Sequence, residues 1–186
     1  MVRAAARDSG RRPTRLIVDT GAVESNARIV VAQLSPETRL MAVVKANAYG
    51  HGDLQCARAA LRGGASHLGV ATISEARALR DGGIDSPILI LGSSDPSEAA
   101  DAAQMDVAIG VGDRVQAEFL LTELAAQRLD RPLRIHLKVD TGMRRFGIDP
   151  LEAVELAQFL VEHPSVHLEG IYSHFAESDD LASDRM

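Results

Sequence analysis

Short apolar runs recur along the chain, and longer segments with the spacing of amphipathic helices separate them. The apolar runs lie at residues 16–19, 40–46, 67–72, 87–92, 106–112, 133–142 and 167–175. Helical spacing covers residues 22–34, 52–64, 74–83, 95–104, 113–129 and 149–163. Runs rich in Val, Ile and Leu that alternate with helices are typical of parallel strands buried on both faces. The pattern therefore predicts repeated βα units.

The number of units favours a closed barrel over an open sheet. Six units follow a short opening strand at residues 16–19, and no GxGxxG motif follows that strand, as a dinucleotide-binding fold would need. A complete (β/α)8 TIM-type barrel takes about 250 residues, whereas this chain has 186. We predict an α/β fold in which only about the first six βα units of such a barrel are present. Residues 1–13 form a flexible basic tail, and residues 14–186 form the partial barrel.

Several helix ends are predicted from local residues. Ser74, Asp95 and Asp149 each stand where a polar side chain caps the first turn, and both aspartates are followed by proline, which favours the first helical position. The glycine pairs at 63–64 and 82–83 are typical helix stops.

Composition narrows the class of partner. A net charge of -6, 3% aromatic residues and no Trp argue against a nucleic-acid or anionic-membrane partner. No apolar run approaches the roughly 18 residues of a membrane helix, and the N-terminus lacks the apolar segment of a secretory signal. Cys56, the single cysteine, excludes an internal disulfide and is expected to be a small buried residue. We expect a cytoplasmic protein with small-molecule partners.

Lysine usage points to two positions. The chain has 18 arginines and only two lysines, Lys45 and Lys138. An arginine stays charged, whereas a lysine can lose its proton and attack a carbonyl carbon. Both lysines lie near the C-terminal ends of predicted strands, where active sites of these barrels lie. Lys45 closes an apolar strand, and burial there disfavours the charged ammonium. The alternative is a structural lysine whose amine reaches solvent at the barrel rim.

Three motifs resemble those of one enzyme family. MAVVKANAYGHG (41–52) resembles the pyridoxal-phosphate lysine motif of alanine racemases, HLKVDTGMRRFGI (136–148) resembles their second signature, and GIYSHFAESDD (170–180) a third. The stretch at residues 69–92 is also similar, so the resemblance covers about residues 14 to 180. It implies an isomerase that interconverts L-alanine and D-alanine through a pyridoxal 5'-phosphate aldimine and supplies D-alanine for peptidoglycan.

The resemblance also implies roles for single residues. Lys45 forms the aldimine and moves the substrate's α-proton on the D-alanine face, and Tyr49 hydrogen-bonds the cofactor phosphate. Leu91 packs near the cofactor ring. From the residues alone, the alternative for Tyr49 is a rim aromatic packed on the next helix, and the alternative for Leu91 is a core leucine.

The two later motifs add three residues. Arg145 is implied to reach the cofactor's phenolic oxygen and the substrate, and Lys138 to be a carbamylated lysine that pairs with Arg145. His174 is implied to lie near the cofactor ring, with a structural histidine as the alternative. The chain has Arg144 where many members have a glycine. No spacing of His, Cys, Asp and Glu suggests a metal site.

Some of the implied machinery lies outside the sequence. The family's second catalytic base is a tyrosine in the C-terminal β-domain of the partner subunit, so the full-length protein is expected to be a homodimer. That β-domain is absent here, and this chain alone is expected to be inactive.

Three alternatives remain: another racemase or a decarboxylase on the same barrel (for example a serine or broad-specificity racemase), a non-catalytic pyridoxal-phosphate carrier, or an inactive relic. The HLKVDTGM stretch favours the enzyme over the carrier, because such carriers do not need that signature.

Overall fold

The computed structural model describes residues 16–127 and 129–180, and six parallel strands form one sheet within them. The strands are β1 Met41–Val43, β2 His67–Val70, β3 Ile88–Ser93, β4 Val107–Val111, β5 Leu133–Lys138 and β6 Val166–Tyr172. Each strand pairs in parallel with the next one in the sequence, so the order is β1-β2-β3-β4-β5-β6. This order, with helices between the strands, confirms the predicted partial (β/α) barrel. The tail predicted at residues 1–13 lies outside the described residues.

Helices connect successive strands. They are α1 Thr20–Val31, α2 Lys45–Gly50, α3 Asp53–Arg62, α4 Ile73–Asp81, α5 Ala99–Gln104, α6 Arg114–Ala125 and α7 Ala153–Val161, and a 3-10 turn, Pro96–Glu98, precedes α5. In the described part of the chain, no helix combines the length and the apolar character that a bilayer crossing requires.

The core lies between the sheet and its helices. Fully buried leucines and isoleucines come from both layers: Leu68, Leu79, Ile88, Ile90, Ile109, Leu120, Leu124, Leu133, Ile135, Leu137, Leu156 and Leu160. Each contributes roughly 1.5–3 kcal/mol through burial of its side chain. On β5, Leu133, Ile135 and Leu137 are buried, and alternation places Arg134, His136 and Lys138 on the opposite face. β5 thus carries polar side chains on one face and apolar side chains on the other.

Some local predictions are confirmed and others are wrong. Residues 16–19 do not form a strand, because the Asp19 carboxylate accepts hydrogen bonds from the Gly21 and Ala22 N–H groups and caps α1 instead. Asp95 caps the 3-10 turn as predicted, accepting from the Ser97 N–H at 2.9 Å. Cys56 is buried as predicted, with 5% of its surface exposed.

Two predicted caps are displaced. Thr72, rather than Ser74, caps α4 by accepting from the Glu75 N–H at 3.3 Å. Asp149 accepts from the Leu151 N–H at 2.9 Å and closes a local turn, and α7 begins only at Ala153. Thr72 caps α4 because the helix begins at Ile73, one residue before Ser74. The Asp149 carboxylate satisfies an N–H group that lies before the first residue of α7.

Candidate active site

One cavity of about 280 Å³ opens at the C-terminal ends of the strands. Barrel enzymes bind their substrates at this end. The cavity is lined by Val43, Lys45, Tyr49, Ala71, Leu91, Gly92, Lys138, Met143, Arg145, Phe146, Tyr172, Ser173 and His174. All six site residues predicted from the sequence are in this set, although four different strands or their loops supply them. The structure therefore brings the predicted residues together in one place.

Lys45 enters the cavity from the end of β1. The Val44 N–H still donates to the Gly69 carbonyl oxygen of β2 at 2.9 Å, so the chain is held in the sheet up to the residue before the lysine. The Lys45 side chain is half-buried, and its amine makes no hydrogen bond or ion pair with the residues that the structure describes. A half-buried amine without an anionic partner is available for reaction with a ligand.

The residues after Lys45 form a left-handed turn. Ala46, Asn47, Ala48 and Tyr49 have φ between 50° and 55°, and the Ala48 N–H donates to the Val44 carbonyl oxygen at 2.8 Å. A non-glycine residue with left-handed backbone angles destabilises the fold by about 1–2 kcal/mol. The turn returns the chain so that Tyr49 lines the same cavity as Lys45, with 61% of the tyrosine exposed. The strand predicted at residues 40–46 therefore ends earlier, at Val43.

Lys138 is the most deeply buried charged group of the cavity. It is 5% exposed, and its Nζ donates to the Val139 carbonyl oxygen at 2.9 Å. Burial lowers the pKa of Lys138, Asp140 opposes this effect, and the nearby Arg145 guanidinium adds to it. No carboxylate of the described residues forms an ion pair with the Lys138 amine. The cavity lining thus holds three basic side chains, Lys45, Lys138 and Arg145, and no carboxylate among its described residues.

Tyr172 is a cavity residue that the sequence reasoning did not single out. Its hydroxyl donates to the Leu91 carbonyl oxygen at 3.0 Å, and its burial raises the pKa of the phenol well above the ordinary value of 10.0. Gly110 of β4 makes room for it, because a Cβ at that position would overlap the hydroxyl. In the strand predicted at residues 167–175, alternation puts Tyr172 on the same face as His174, and this spacing is the signal that could have identified it. The observed strand ends at Tyr172, before His174.

The loops after β5 and β6 are tied to each other by hydroxyl groups. The Thr141 and Ser173 hydroxyl oxygens are 2.6 Å apart, and Ser173 donates to the Val139 carbonyl oxygen at 2.9 Å. The Asp140 carboxylate accepts from the Gly142 and Arg144 N–H groups, and these backbone bonds lower its pKa. The loops that carry Arg145 and His174 are therefore held close to the strand ends.

Below the cavity, a charged cluster occupies the face of β5 and β6 that also carries Lys138. The Arg134 guanidinium donates two hydrogen bonds to the Glu169 carboxylate, both at 2.9 Å, and His136 Nε2 lies 3.3 Å from the same carboxylate. His136 is thus engaged with Glu169 rather than with Lys138. A bidentate pair of this kind fixes both side chains.

The cavity combines a free primary amine, an exposed phenol, a guanidinium and an imidazole. An amine can condense with an aldehyde, and a guanidinium and a phenol donate hydrogen bonds to anionic oxygens. Leu91 supplies apolar surface for a ring. The donor set therefore suits an aldehyde cofactor that carries a phosphate and an aromatic ring, as pyridoxal 5'-phosphate does.

Known proteins are similar to this chain over most of its length. A family model described as alanine racemase, N-terminal domain, matches residues 18–186. The alanine racemase of Geobacillus stearothermophilus is 45% identical over 174 residues, which cover 93% of this chain and 44% of that protein.

Solved structures agree with the sequence relatives. Alanine racemase from E. faecalis has a TM-score of 0.89 and 39% identity, over 95% of this chain and 48% of that chain. Histidine racemase from Leuconostoc mesenteroides subsp. sake has a TM-score of 0.80 and 29% identity, over 89% of this chain and 44% of that chain. The chain thus spans less than half the length of the relatives it matches. Both the sequence and the fold show that it belongs to the alanine racemase family and corresponds to the N-terminal barrel domain.

Proposed function

We propose that this chain is the cofactor-binding part of an alanine racemase that interconverts L-alanine and D-alanine with pyridoxal 5'-phosphate held at Lys45. The observation that carries the proposal is the half-buried Lys45 amine, which has no partner among the described residues and shares one cavity with Tyr49 and Arg145. The named relatives support the reaction, and the proposal concerns the full-length protein.

Lys45 has two tasks in this proposal. Its amine would hold the cofactor through the aldehyde carbon, with loss of water. Once the substrate's amino group has displaced it from that carbon, the freed Lys45 amine would take or return the substrate's α-proton on the D-alanine face. When bound, the cofactor withdraws electrons from the α-carbon and so stabilises the negative charge that forms there. No carboxylate within residues 16–127 and 129–180 forms an ion pair with the Lys45 amine, and this supports both tasks.

The other cavity residues bind and orient. The exposed Tyr49 hydroxyl donates to the cofactor phosphate, and Leu91 packs against the ring. Arg145 donates to the phenolic oxygen and to the substrate carboxylate, and His174 lies beside the ring. A guanidinium suits these partners because it presents several donors in a fixed plane.

We further propose that Lys138 is carbamylated. Burial lowers the pKa of this amine, and a neutral amine attacks carbon dioxide to form a carbamate with release of one proton. The product is an anion that pairs with Arg145 and fixes its orientation. The buried cation without an anionic partner supports the proposal, because carbamylation removes the positive charge next to Arg145.

Borohydride trapping tests the attachment site. The full-length protein is treated with pyridoxal 5'-phosphate and borohydride, and the labelled peptide is mapped. We expect the label on Lys45 and its loss, together with the visible imine absorbance, in Lys45→Arg, because the guanidinium keeps the charge but does not form the imine. A label on another residue contradicts the proposal.

A second candidate substrate follows from one neighbour. The similar structure from Leuconostoc mesenteroides is a histidine racemase, so a racemase for another amino acid, including serine or a broad range, is the alternative. Turnover of alanine, serine, lysine and histidine by the full-length protein separates the two, and we expect kcat/KM to be highest for alanine.

The proposed cellular setting comes from the family resemblance. We propose that the full-length protein is a cytoplasmic homodimer that supplies D-alanine for peptidoglycan. Its second catalytic base would come from the C-terminal domain of the partner subunit. On this proposal, the 186-residue chain purified alone does not racemise alanine. Racemisation by that chain at an ordinary enzymatic rate contradicts this part of the proposal.

A further inference from the structure

Glu75, in the first turn of α4, joins two separate segments of the cavity wall. One carboxylate oxygen, Oε1, accepts from the Ala46 N–H at 2.8 Å, and the other, Oε2, accepts from the Ala71 N–H at 2.7 Å. Ala46 directly follows Lys45, and Ala71 itself lines the cavity. A single carboxylate thus connects the end of β2 to the residue after the lysine.

The contact with Ala46 restrains Lys45 from its C-terminal side. On the N-terminal side, the Val44 N–H is bonded to the Gly69 carbonyl oxygen of β2. Lys45 therefore stands between two fixed peptide groups, one held by the sheet and one held by Glu75. The second restraint matters because Ala46 begins the left-handed turn, with φ of 52°, and an alanine does not favour this conformation by itself.

Glu75 departs from the usual task of a glutamate at this helix position. In a capping box, the glutamate three residues after the capping Ser or Thr bonds back to the N–H of the capping residue. Thr72 caps α4 by accepting from the Glu75 N–H. The Glu75 carboxylate instead accepts from the N–H of Ala71, the residue before Thr72, and from the N–H of Ala46, which is 29 residues from Glu75 in the sequence. The Glu75 carboxylate thus bonds to two N–H groups outside α4 and does not serve as a cap of that helix.

We propose that Glu75 is a positioning residue for Lys45: its carboxylate holds the left-handed turn in the conformation that directs the lysine amine into the cavity. This inference rests on the proposed function, in which that amine binds pyridoxal 5'-phosphate. Both carboxylate oxygens are needed, because each accepts from a different N–H group. A glutamine has the same shape but offers one acceptor oxygen and turns an NH2 group towards the other N–H.

Glu75→Gln tests the proposal in the full-length protein, with Thr72→Ala as the matched control. The control weakens the start of α4 without touching the bond to Ala46. Pyridoxal 5'-phosphate affinity is measured from the imine absorbance, the trapped fraction of Lys45 from borohydride labelling, and stability from thermal unfolding. We expect roughly tenfold weaker cofactor binding and less Lys45 label in Glu75→Gln, as the loss of one charge-assisted hydrogen bond predicts. Thr72→Ala should stay within about twofold of the unmutated protein, since it removes only a helix cap.

Amide hydrogen exchange in the unmutated protein gives a second measurement that needs no variant. The Ala46 amide should exchange slowly, because Glu75 accepts its proton. The proposal is overturned if Glu75→Gln binds the cofactor as the unmutated protein does, if Thr72→Ala loses as much, or if the Ala46 amide is unprotected. Absence of any Lys45 label in the unmutated protein contradicts the proposed function instead, and the exchange rate of Ala46 still decides whether Glu75 holds the turn.

Discussion

The Tyr172 hydroxyl donates a hydrogen bond to the Leu91 carbonyl oxygen at 3.0 Å, although 81 residues separate the two in the sequence. Tyr172 ends β6 and Leu91 lies in β3, and these strands are not neighbours in the sheet. The bond therefore spans the inner face of the barrel. It fixes the backbone of Leu91 at the point where the side chain lines the cavity.

Tyr172→Phe should destabilise the fold. The change removes the hydroxyl donor, so the Leu91 carbonyl oxygen loses this hydrogen bond. The loss lowers the free energy of unfolding by about 1–2 kcal/mol. Urea unfolding measures the loss. Tyr49→Phe is the control, because the exposed Tyr49 side chain makes no hydrogen bond within the described residues, and its stability should change by less than about 0.5 kcal/mol. Equal losses in both variants would contradict the importance of the bond.

Gly110→Ala should be destabilising for a reason that depends on Tyr172. The added Cβ would overlap the tyrosine hydroxyl, and overpacking of this kind costs about 1–3 kcal/mol. Tyr172→Phe removes the oxygen with which the methyl group collides. The double variant should therefore lose less stability than the sum of the two single variants, with a coupling of about 1 kcal/mol. Strict additivity in urea unfolding contradicts this explanation.

The strand order was predictable because each strand carries its own apolar run. The prediction of an opening strand at residues 16–19 was wrong for a local reason. Leu16 and Ile17 are apolar, but Asp19 is followed by free N–H groups that its carboxylate caps. An apolar pair next to a helix-capping residue is thus weak evidence for a strand.

Some residues of the candidate site could be predicted from the sequence, and others could not. Lys45 and Arg145 stand in contiguous motifs, so the sequence alone could identify them. Tyr172 and Glu75 depend on partners that are distant in the sequence, and spacing does not reveal such contacts. The left-handed turn after Lys45 was also missed, because alanine, asparagine and tyrosine carry no strong signal for positive φ.

Lys138→Met should raise stability at neutral pH when carbon dioxide is excluded. The variant removes a buried cation that forms no ion pair with a carboxylate in the described part of the chain, and an apolar side chain of similar size favours the fold by about 1–2 kcal/mol. The Val139 carbonyl oxygen keeps a donor, because Ser173 also bonds to it. A loss of stability on this change, measured by urea unfolding at pH 7, contradicts the description of Lys138 as an uncompensated cation.

The same lysine should make stability depend on pH. Burial lowers the pKa of Lys138 in the folded state below the ordinary value of 10.5. Between the lowered pKa and 10.5, the unfolded chain binds more protons at this position, so the free energy of unfolding rises with pH in that window. Below the lowered pKa both states are protonated, and the unfavourable burial of the charge is fully present. Lys138→Met should reduce this rise, and an unchanged pH profile between neutral pH and about pH 10 contradicts the assignment.

Arg144→Gly should stabilise the loop after β5. Arg144 has φ of 54°, which costs a non-glycine residue about 1–2 kcal/mol. Glycine removes this strain at an entropic cost of about 0.5–1 kcal/mol, so we expect a net gain of about 0.5–1 kcal/mol in the free energy of unfolding. The bond from the N–H of residue 144 to the Asp140 carboxylate survives the change, because it uses the backbone.

The neighbouring Arg145→Gly is a matched control for this stability measurement. Arg145 is not among the residues with positive φ, so glycine there adds only flexibility to the unfolded chain and should lower stability by about 0.5–1 kcal/mol. Both variants lose a positive charge, and both are made in Lys138→Met because the Arg145 guanidinium acts on the Lys138 amine. Opposite signs for the two adjacent arginines then isolate the effect of the backbone conformation. If both changes destabilise equally, the positive φ of Arg144 imposes no strain on the fold.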